Sequence, residues 1–201
     1  MVAEVLEALA PHPQGRYVDC TLGTAGHARA ILTASAPTGL LLGLEVDPAA
    51  LEIAGEQLKE FPGRAILRNS SYARLSAVLA DLGWNQVDGI LLDLGVSSLQ
   101  FGTAARGFSF NLDGPLDMRM DPTLAVTAAD LVNTLPVDEL AGLLLRYGEE
   151  RRANTIAQAI VASRPVTTTR QLRDCIVNAV GWRRGERNPA LHAFQALRIA
   201  V

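Results

Sequence analysis

Apolar residues along the first half of the chain change their spacing several times, and each change marks an element. Val2, Val5, Leu6 and Leu9 fall at helical spacing, which predicts an amphipathic helix stopped by Pro11 and Pro13. Tyr17 to Thr21 is short and β-prone, and the turn Leu22-Gly23-Thr24-Ala25-Gly26-His27 joins it to a helix over Ala28 to Ala36. Leu40 to Glu45 is apolar on both faces, as a strand in a parallel sheet covered on each side requires. Asp47-Pro48 opens the next helix, with Asp as N-cap and Pro at the first position, and Leu51, Ala54, Leu58 and Phe61 form its inward stripe. Ala65 to Arg68 reads as a third strand, Tyr72 to Leu82 as a further helix, and Val87 to Asp93 as a fourth strand. Strands alternating with helices predict an α/β fold with a parallel sheet, whose ligands sit beyond the carboxyl ends of the strands. Polar residues collect there: Asp19 to His27, Glu45, Asn69 to Tyr72, and Asp93 onward.

The second half is helical in pattern. Thr127 and Asp130 make a capping box before a short helix that Pro136 ends. Asp138 to Tyr147 places Leu140, Leu143, Leu144 and Tyr147 on one face, with Gly148 expected as its cap. Glu149 to Ser163 and Thr169 to Val180 read as two more helices. The predicted organisation is a ligand-binding α/β part over residues 1–121, an inserted helical subdomain over 122–187, and a return to the first domain over 188–201.

Composition narrows the class. With 201 residues and 49% hydrophobic content the chain can bury a sizeable core. No apolar run approaches the roughly 20 residues of a membrane span. The start also lacks a basic flank followed by an apolar stretch, so the expectation is a soluble, cytoplasmic protein with no membrane partner. Cys20 and Cys175 fit no metal spacing and three histidines are scattered, so no metal site is expected. Charge is uneven: residues 1–145 carry net −9, while 146–201 hold 10 Arg against 4 acids, net +6. A basic C-terminal part suggests an anionic partner, against the plain alternative of arginines solvating helix surfaces.

The glycine turn after the first strand offers backbone N–H groups to a carboxylate or phosphate. Glu45 follows Gly23 by 22 residues, where an acid can accept from ribose hydroxyls. Dinucleotides and S-adenosylmethionine both fit this pairing. Gly23-x-x-Gly26 lacks the full G-x-G-x-x-G, which weakens a dinucleotide oxidoreductase.

From Asp88 to Asp121 a short apolar run ends in Asp93 and then loses periodicity. This loop holds Phe101, Phe108, Phe110, Met118 and Met120 together with Asp113, Asp117, Arg119 and Asp121, too rich in aromatics and charge for a linker. The run from Gln100 through Arg106-Gly-Phe-Ser-Phe to Asp113-Gly-Pro-Leu-Asp-Met-Arg-Met-Asp121 closely resembles the signature of the bacterial small-subunit ribosomal RNA cytosine-N4 methyltransferases, the RsmH (MraW) family. Val18-Asp-Cys-Thr-Leu-Gly-Thr-Ala-Gly-His27 looks like that family's first cofactor motif, and Tyr147-Gly-Glu-Glu-Arg151 matches another.

The resemblance implies a Rossmann-like methyltransferase fold with an incomplete parallel sheet and an inserted helical subdomain. It also implies S-adenosyl-L-methionine as cofactor and 16S rRNA or the small ribosomal subunit, near the decoding centre, as substrate. By motif, Ala25, Gly26 and His27 would meet the methionine end, Glu45 the ribose and Tyr72 the adenine, with Asp93 and Gln100 completing the pocket. Methylating a conjugated amine needs an acceptor for its N–H at the end of the fourth strand; Asp93 stands there, and Asp117 is a second acidic candidate. Phe108 and Phe110 are candidates to stack a nucleobase, and Arg106, Arg119, Arg151 and Arg152 to meet phosphates. Core packing is the plain alternative for either ring, and an ion pair between Glu149 or Glu150 and an arginine is the plain alternative for the Tyr147 to Arg151 motif. Ala25 stands where the family usually has glycine, tolerable at negative φ and crowding the site at positive φ. Asn188-Pro-Ala-Leu-His192 lacks the usual arginine, and Phe101, Gly102 and Ala105 also depart from the pattern. Relatives continue past Val201 with further strands, so the expectation is a fragment of a longer enzyme or a degenerate, non-catalytic relative that keeps cofactor or RNA affinity. Its fourth strand would then be an apolar edge open to pairing with another chain, a homodimer included.

Overall fold

The computed structural model describes residues 1–183 and 185–201. Two compact units divide the chain, Met1–Gly95 and Val96–Val201.

In the first unit, α1 (Val2–Leu9) precedes β1 (Arg16–Asp19), α2 (Gly26–Ala34), β2 (Leu40–Glu45), α3 (Pro48–Gln57), β3 (Ala65–Asn69), a 3₁₀ turn (Tyr72–Arg74), α4 (Leu75–Asp81) and β4 (Gly89–Leu91). The sheet is parallel throughout, in the order β3-β2-β1-β4. The predicted α/β architecture is therefore present, with β1 central between β2 and β4. Alternation along the strands builds two cores. Tyr17 and Leu41 join Ile31, Leu32, Ala54 and Leu58 on one face, whereas Val18, Leu42 and Leu44 join Trp84 and the α4 side chains Leu75, Val78 and Leu79 on the other. Asp47 caps α3 by accepting from the Ala49 N–H, with Pro48 at the first position as expected. β4 is shorter than expected, because the chain leaves the ladder after Leu91; Ile90 and Leu92 stay 43% and 48% exposed on this edge strand.

The second unit begins with α5 (Ser98–Gly102) and a 3₁₀ turn (Ala104–Arg106), then α6 (Ala128–Thr134), α7 (Val137–Gly148), α8 (Ala153–Ala162), α9 (Thr169–Val180) and α10 (Ala190–Ala200). Its core joins Leu140, Leu144, Ile156, Ile160, Leu172, Ile176 and Phe194 from the helices to Phe108, Leu116 and Met118 from the loop. The expected boundary at 121/122 falls inside this unit for that reason, and α10, expected to return to the first domain, packs on α7 and shares this core. The capping boxes of α6 and α9, Thr127 with Asp130 and Thr168 with Gln171, close as reciprocal bonds. Gly148 is not the cap of α7. It is the last helical residue, Glu149 takes the left-handed position at φ 53°, and a Cβ on Gly148 would strike the His192 carbonyl.

The loop is held as tightly as a helix. Leu116 donates to the Thr167 carbonyl, Ala128 and Ala129 donate to the carbonyls of Asp117 and Leu116, and Met118 donates to that of Arg106, all at 2.7–3.0 Å. Gly107, at φ 71°, lies where a Cβ would run into the Pro115 carbonyl oxygen and come within 2.7 Å of the Asp117 nitrogen. Gly107→Ala is expected to lower the stability of this unit by about 3 kcal/mol or more, from left-handed strain and overpacking together. Urea unfolding followed by circular dichroism measures it, and an unchanged midpoint would mean that the loop shifts freely.

Candidate functional site

The ends of β1, β2 and β4 are tied together by backbone and side chain. Cys20 donates to the Leu91 carbonyl and Leu22 to that of Leu44, so the segment after β1 bridges both neighbours. The Thr21 hydroxyl accepts from the Asp93 N–H at 2.8 Å, and Glu45 Oε2 accepts from the Gly23 N–H at 2.8 Å. Glu45 Oε1 accepts from the N–H groups of Val46 and Asp47. A carboxylate has about four lone-pair directions, so three are used and Oε2 retains one.

Asp19 closes the central strand and is 1% exposed. Its Oδ1 accepts from the Thr21 N–H at 3.1 Å. Burial, the largest effect, pushes its carboxyl up from 3.8 to about 6; the Thr21 bond and His27 pull down, while Glu45 and Asp93 push up. Asp19 thus feels His27, Glu45 and Asp93 together, and these groups share one neighbourhood. His27 Nε2 lies 3.7 Å from Asp93 Oδ2.

The helix start beside them is open for an anion. Ala25 is the N-cap of α2, in the left-handed region at φ 70°, and makes no side-chain cap bond. The first N–H groups of α2 therefore lack an intrahelical partner, and a Cβ at Gly26 would meet nothing within 4 Å. The positive φ of Ala25 does not crowd the helix start with its methyl, which packs in the core with Tyr17, Leu22 and Ala28. Tyr72 begins the 3₁₀ turn after β3 and is 48% exposed.

The family model described as the MraW methylase family matches residues 1–201. The chain belongs to that family. The ribosomal RNA small subunit methyltransferase H of Syntrophotalea carbinolica is 52% identical over 206 residues, covering all of this chain and 66% of the relative. That of Geobacter sulfurreducens is 53% identical over 208 residues, with 66% of its length covered. That of Thermomicrobium roseum is 48% identical over 204 residues, with 63% covered. This MraW-family chain thus spans just under two thirds of the relatives it matches.

Within this member of the family, the sequence-predicted residues divide sharply. Ala25, Gly26, His27, Glu45 and Asp93 gather at the strand ends of the first unit, and Tyr72 follows β3. In the second unit, Gln100 is buried and its Oε1 accepts from the Ser97 N–H in a capping box. Asp117 is engaged within the loop. Arg119 donates to both its oxygens, at 2.7–3.0 Å, and holds its carboxyl below the usual range. Arg119 also donates to the carbonyls of Pro122 and Leu124, and Arg106 to those of Arg119 and Met120, so both arginines brace the loop. Phe108 is fully buried and stacks no base; Phe110 packs edge-to-face on Phe194 at 5.5 Å. Arg151 is exposed on the turn before α8, lining a cavity of about 280 Å³ with Asp138 and Asn154. The buried Glu150 pairs with Arg152, at 3.5 Å.

Two participants escaped the sequence reading. Asp19 sat in the glycine motif without a role, and nothing in a strand-end acid says whether it will be buried. Thr21 gave no signal at all, because its bond to Asp93 spans 72 residues.

A raised folded pKa means that Asp19 favours the native state when protonated; this contribution is full below 3.8 and is lost as pH rises through about 6. The rise corresponds to roughly 3 kcal/mol at most. Asp19→Asn, which keeps an acceptor for Thr21, is expected to stabilise the chain by up to that amount, about 3 kcal/mol, at pH 8 and by nothing near pH 3.5. Urea midpoints across that range read it.

Proposed function

We propose that this chain forms the cofactor-binding and base-methylating part of an S-adenosylmethionine-dependent rRNA (cytosine-N4) methyltransferase acting on 16S rRNA of the small ribosomal subunit. The observation that carries the reading is the gathering of His27, Glu45 and Asp93 around Asp19 at the strand ends, in a chain whose whole length matches the MraW methylase family. Relatives bearing the name ribosomal RNA small subunit methyltransferase H support the substrate class.

The residues fit the cofactor. Unpaired N–H groups at the α2 start suit the methionine carboxylate, the remaining lone pair of Glu45 suits a ribose hydroxyl, and the half-exposed Tyr72 suits adenine. S-adenosylmethionine, when bound, supplies an electrophilic methyl group. The chain must do the rest. The cytosine amine is a poor nucleophile because its lone pair is conjugated with the ring. Asp93, its backbone pinned by Thr21, accepts an amine N–H, which turns the lone pair out of conjugation and aims it. Once nitrogen has gained its methyl it holds a surplus proton, and the Asp93 carboxylate is placed to receive it. The net +6 of residues 146–201, with Arg151 exposed, supports an anionic RNA partner. No described helix is long and apolar enough to cross a membrane. A cytoplasmic location, and a homodimer joined along the exposed β4 edge, complete the reading.

The test combines binding and turnover. S-adenosylhomocysteine should bind the chain by calorimetry and nicotinamide dinucleotides should not. Glu45→Ala should weaken that binding about tenfold or more, since a hydrogen bond to a charged group contributes roughly 1.5–3 kcal/mol. Asp93→Ala should lose about a hundredfold or more in turnover on naked small subunits at saturating S-adenosylmethionine. Full turnover in Asp93→Ala would remove the acceptor role, and dinucleotide binding would overturn the whole reading.

A further inference from the structure

His27 is the second residue of α2, its side chain 20% exposed. Its two ring nitrogens stand in different surroundings. Nε2 faces the Asp93 carboxylate at 3.7 Å, whereas Nδ1 is buried with no hydrogen-bond partner. A neutral imidazole carries one N–H and one bare nitrogen. Placing the hydrogen on Nδ1 would bury an unpaired donor, at about 1–3 kcal/mol. It would also turn the Nε2 lone pair toward the lone pairs of a carboxylate. Placing it on Nε2 aims a donor at Asp93 and leaves only a bare acceptor inside. Asp19 from β1 and Glu45 from β2 are the other charged groups in this neighbourhood.

Asp93 needs such a partner. Its backbone is fixed by Thr21, yet its side chain is 50% exposed, and a half-exposed carboxylate is not held in one rotamer by packing. We infer that His27 is the positioning residue for Asp93: with hydrogen on Nε2 and a bare Nδ1, it donates to one Asp93 oxygen and leaves the other for the substrate amine. The inference rests on the acceptor role of Asp93 proposed above. The 3.7 Å separation is longer than a hydrogen bond, and the assignment requires the half-exposed Asp93 side chain to rotate toward His27. A ligand N–H reaching the buried Nδ1, such as the ammonium group of an amino acid, would lock the same tautomer.

Two substitutions separate the nitrogens. The side-chain amide of His27→Gln places its nitrogen near the position of Nε2, and that of His27→Asn near Nδ1. On this account kcat on small ribosomal subunits should be at least about tenfold higher in His27→Gln than in His27→Asn. Each kcat is read at saturating S-adenosylmethionine, so that any difference in cofactor affinity between the two variants does not enter. Without any turnover, two-bond nitrogen–proton correlation spectra of the ¹⁵N-histidine-labelled chain should show His27 protonated at Nε2 and bare at Nδ1. The ¹³C resonance of the Asp93 carboxyl should move in His27→Asn more than in His27→Gln. A proton on Nδ1, or equal kcat in the two variants, overturns the assignment. If the wild-type chain methylates nothing, the proposed reaction fails, and the spectra alone decide the tautomer.

Discussion

A carboxylate held out of water at the end of the central strand governs the first unit. β1 has a neighbour on each side, so the chain leaving it must cross between β2 and β4, and Cys20 and Leu22 make that crossing by donating to both. Asp19 sits at the start of the crossing, where its solvation is replaced by one backbone N–H and the field of its neighbours. Two further acids within that field would be unfavourable in a dry site. Glu45 avoids the cost by spending three lone pairs on backbone N–H groups, and Asp93 by remaining half exposed beside His27. The same bonds that keep the acids together fix the turn from Gly23 to His27, so site and scaffold are one network.

Backbone strain sits at the edges of this arrangement. Ala25 and Met118 both adopt left-handed φ, at 70° and 64°, a region that costs a residue with a Cβ about 1–2 kcal/mol. Each is fully buried, and its side chain packs in a core that compensates. At Ala25 the strain has a local return: the reversal turns the first N–H groups of α2 outward without a side-chain cap to occupy them. At Met118 it lets the loop double back so that Met118 N–H reaches the Arg106 carbonyl.

The strands of the first unit were legible because each is a short apolar run ended by a polar residue, and Asp47-Pro48 and the Thr127 capping box announce their helices by local chemistry alone. The structure of the loop was not legible. Its lack of period hides that Phe108, Leu116 and Met118 point into one helical core, a property of contacts between distant segments. Gly148 shows the same limit. A glycine at a helix end reads as a left-handed cap, yet here the demand is steric, from His192 forty-four residues away, and Glu149 takes the left-handed turn. The Asp117 and Arg119 pair could have been suspected from its spacing, but only the fold shows Arg119 bonded to both carboxylate oxygens.

Arginine use in the second unit changes what its charge means. Arg106, Arg119, Arg164 and Arg198 all donate to backbone carbonyls of loops or helix ends, Arg164 to Val132 and Leu135 at the end of α6, and Arg198 to Phe108. A guanidinium can satisfy several carbonyls at once from its planar fork, which suits a unit with long aperiodic segments. Those side chains are held by the interior of the unit, and burial lowers the pKa of Arg198. Within residues 146–201, Arg146, Arg151, Arg152, Arg170, Arg183 and Arg187 remain exposed, and they form the basic surface on which the proposed RNA contact rests.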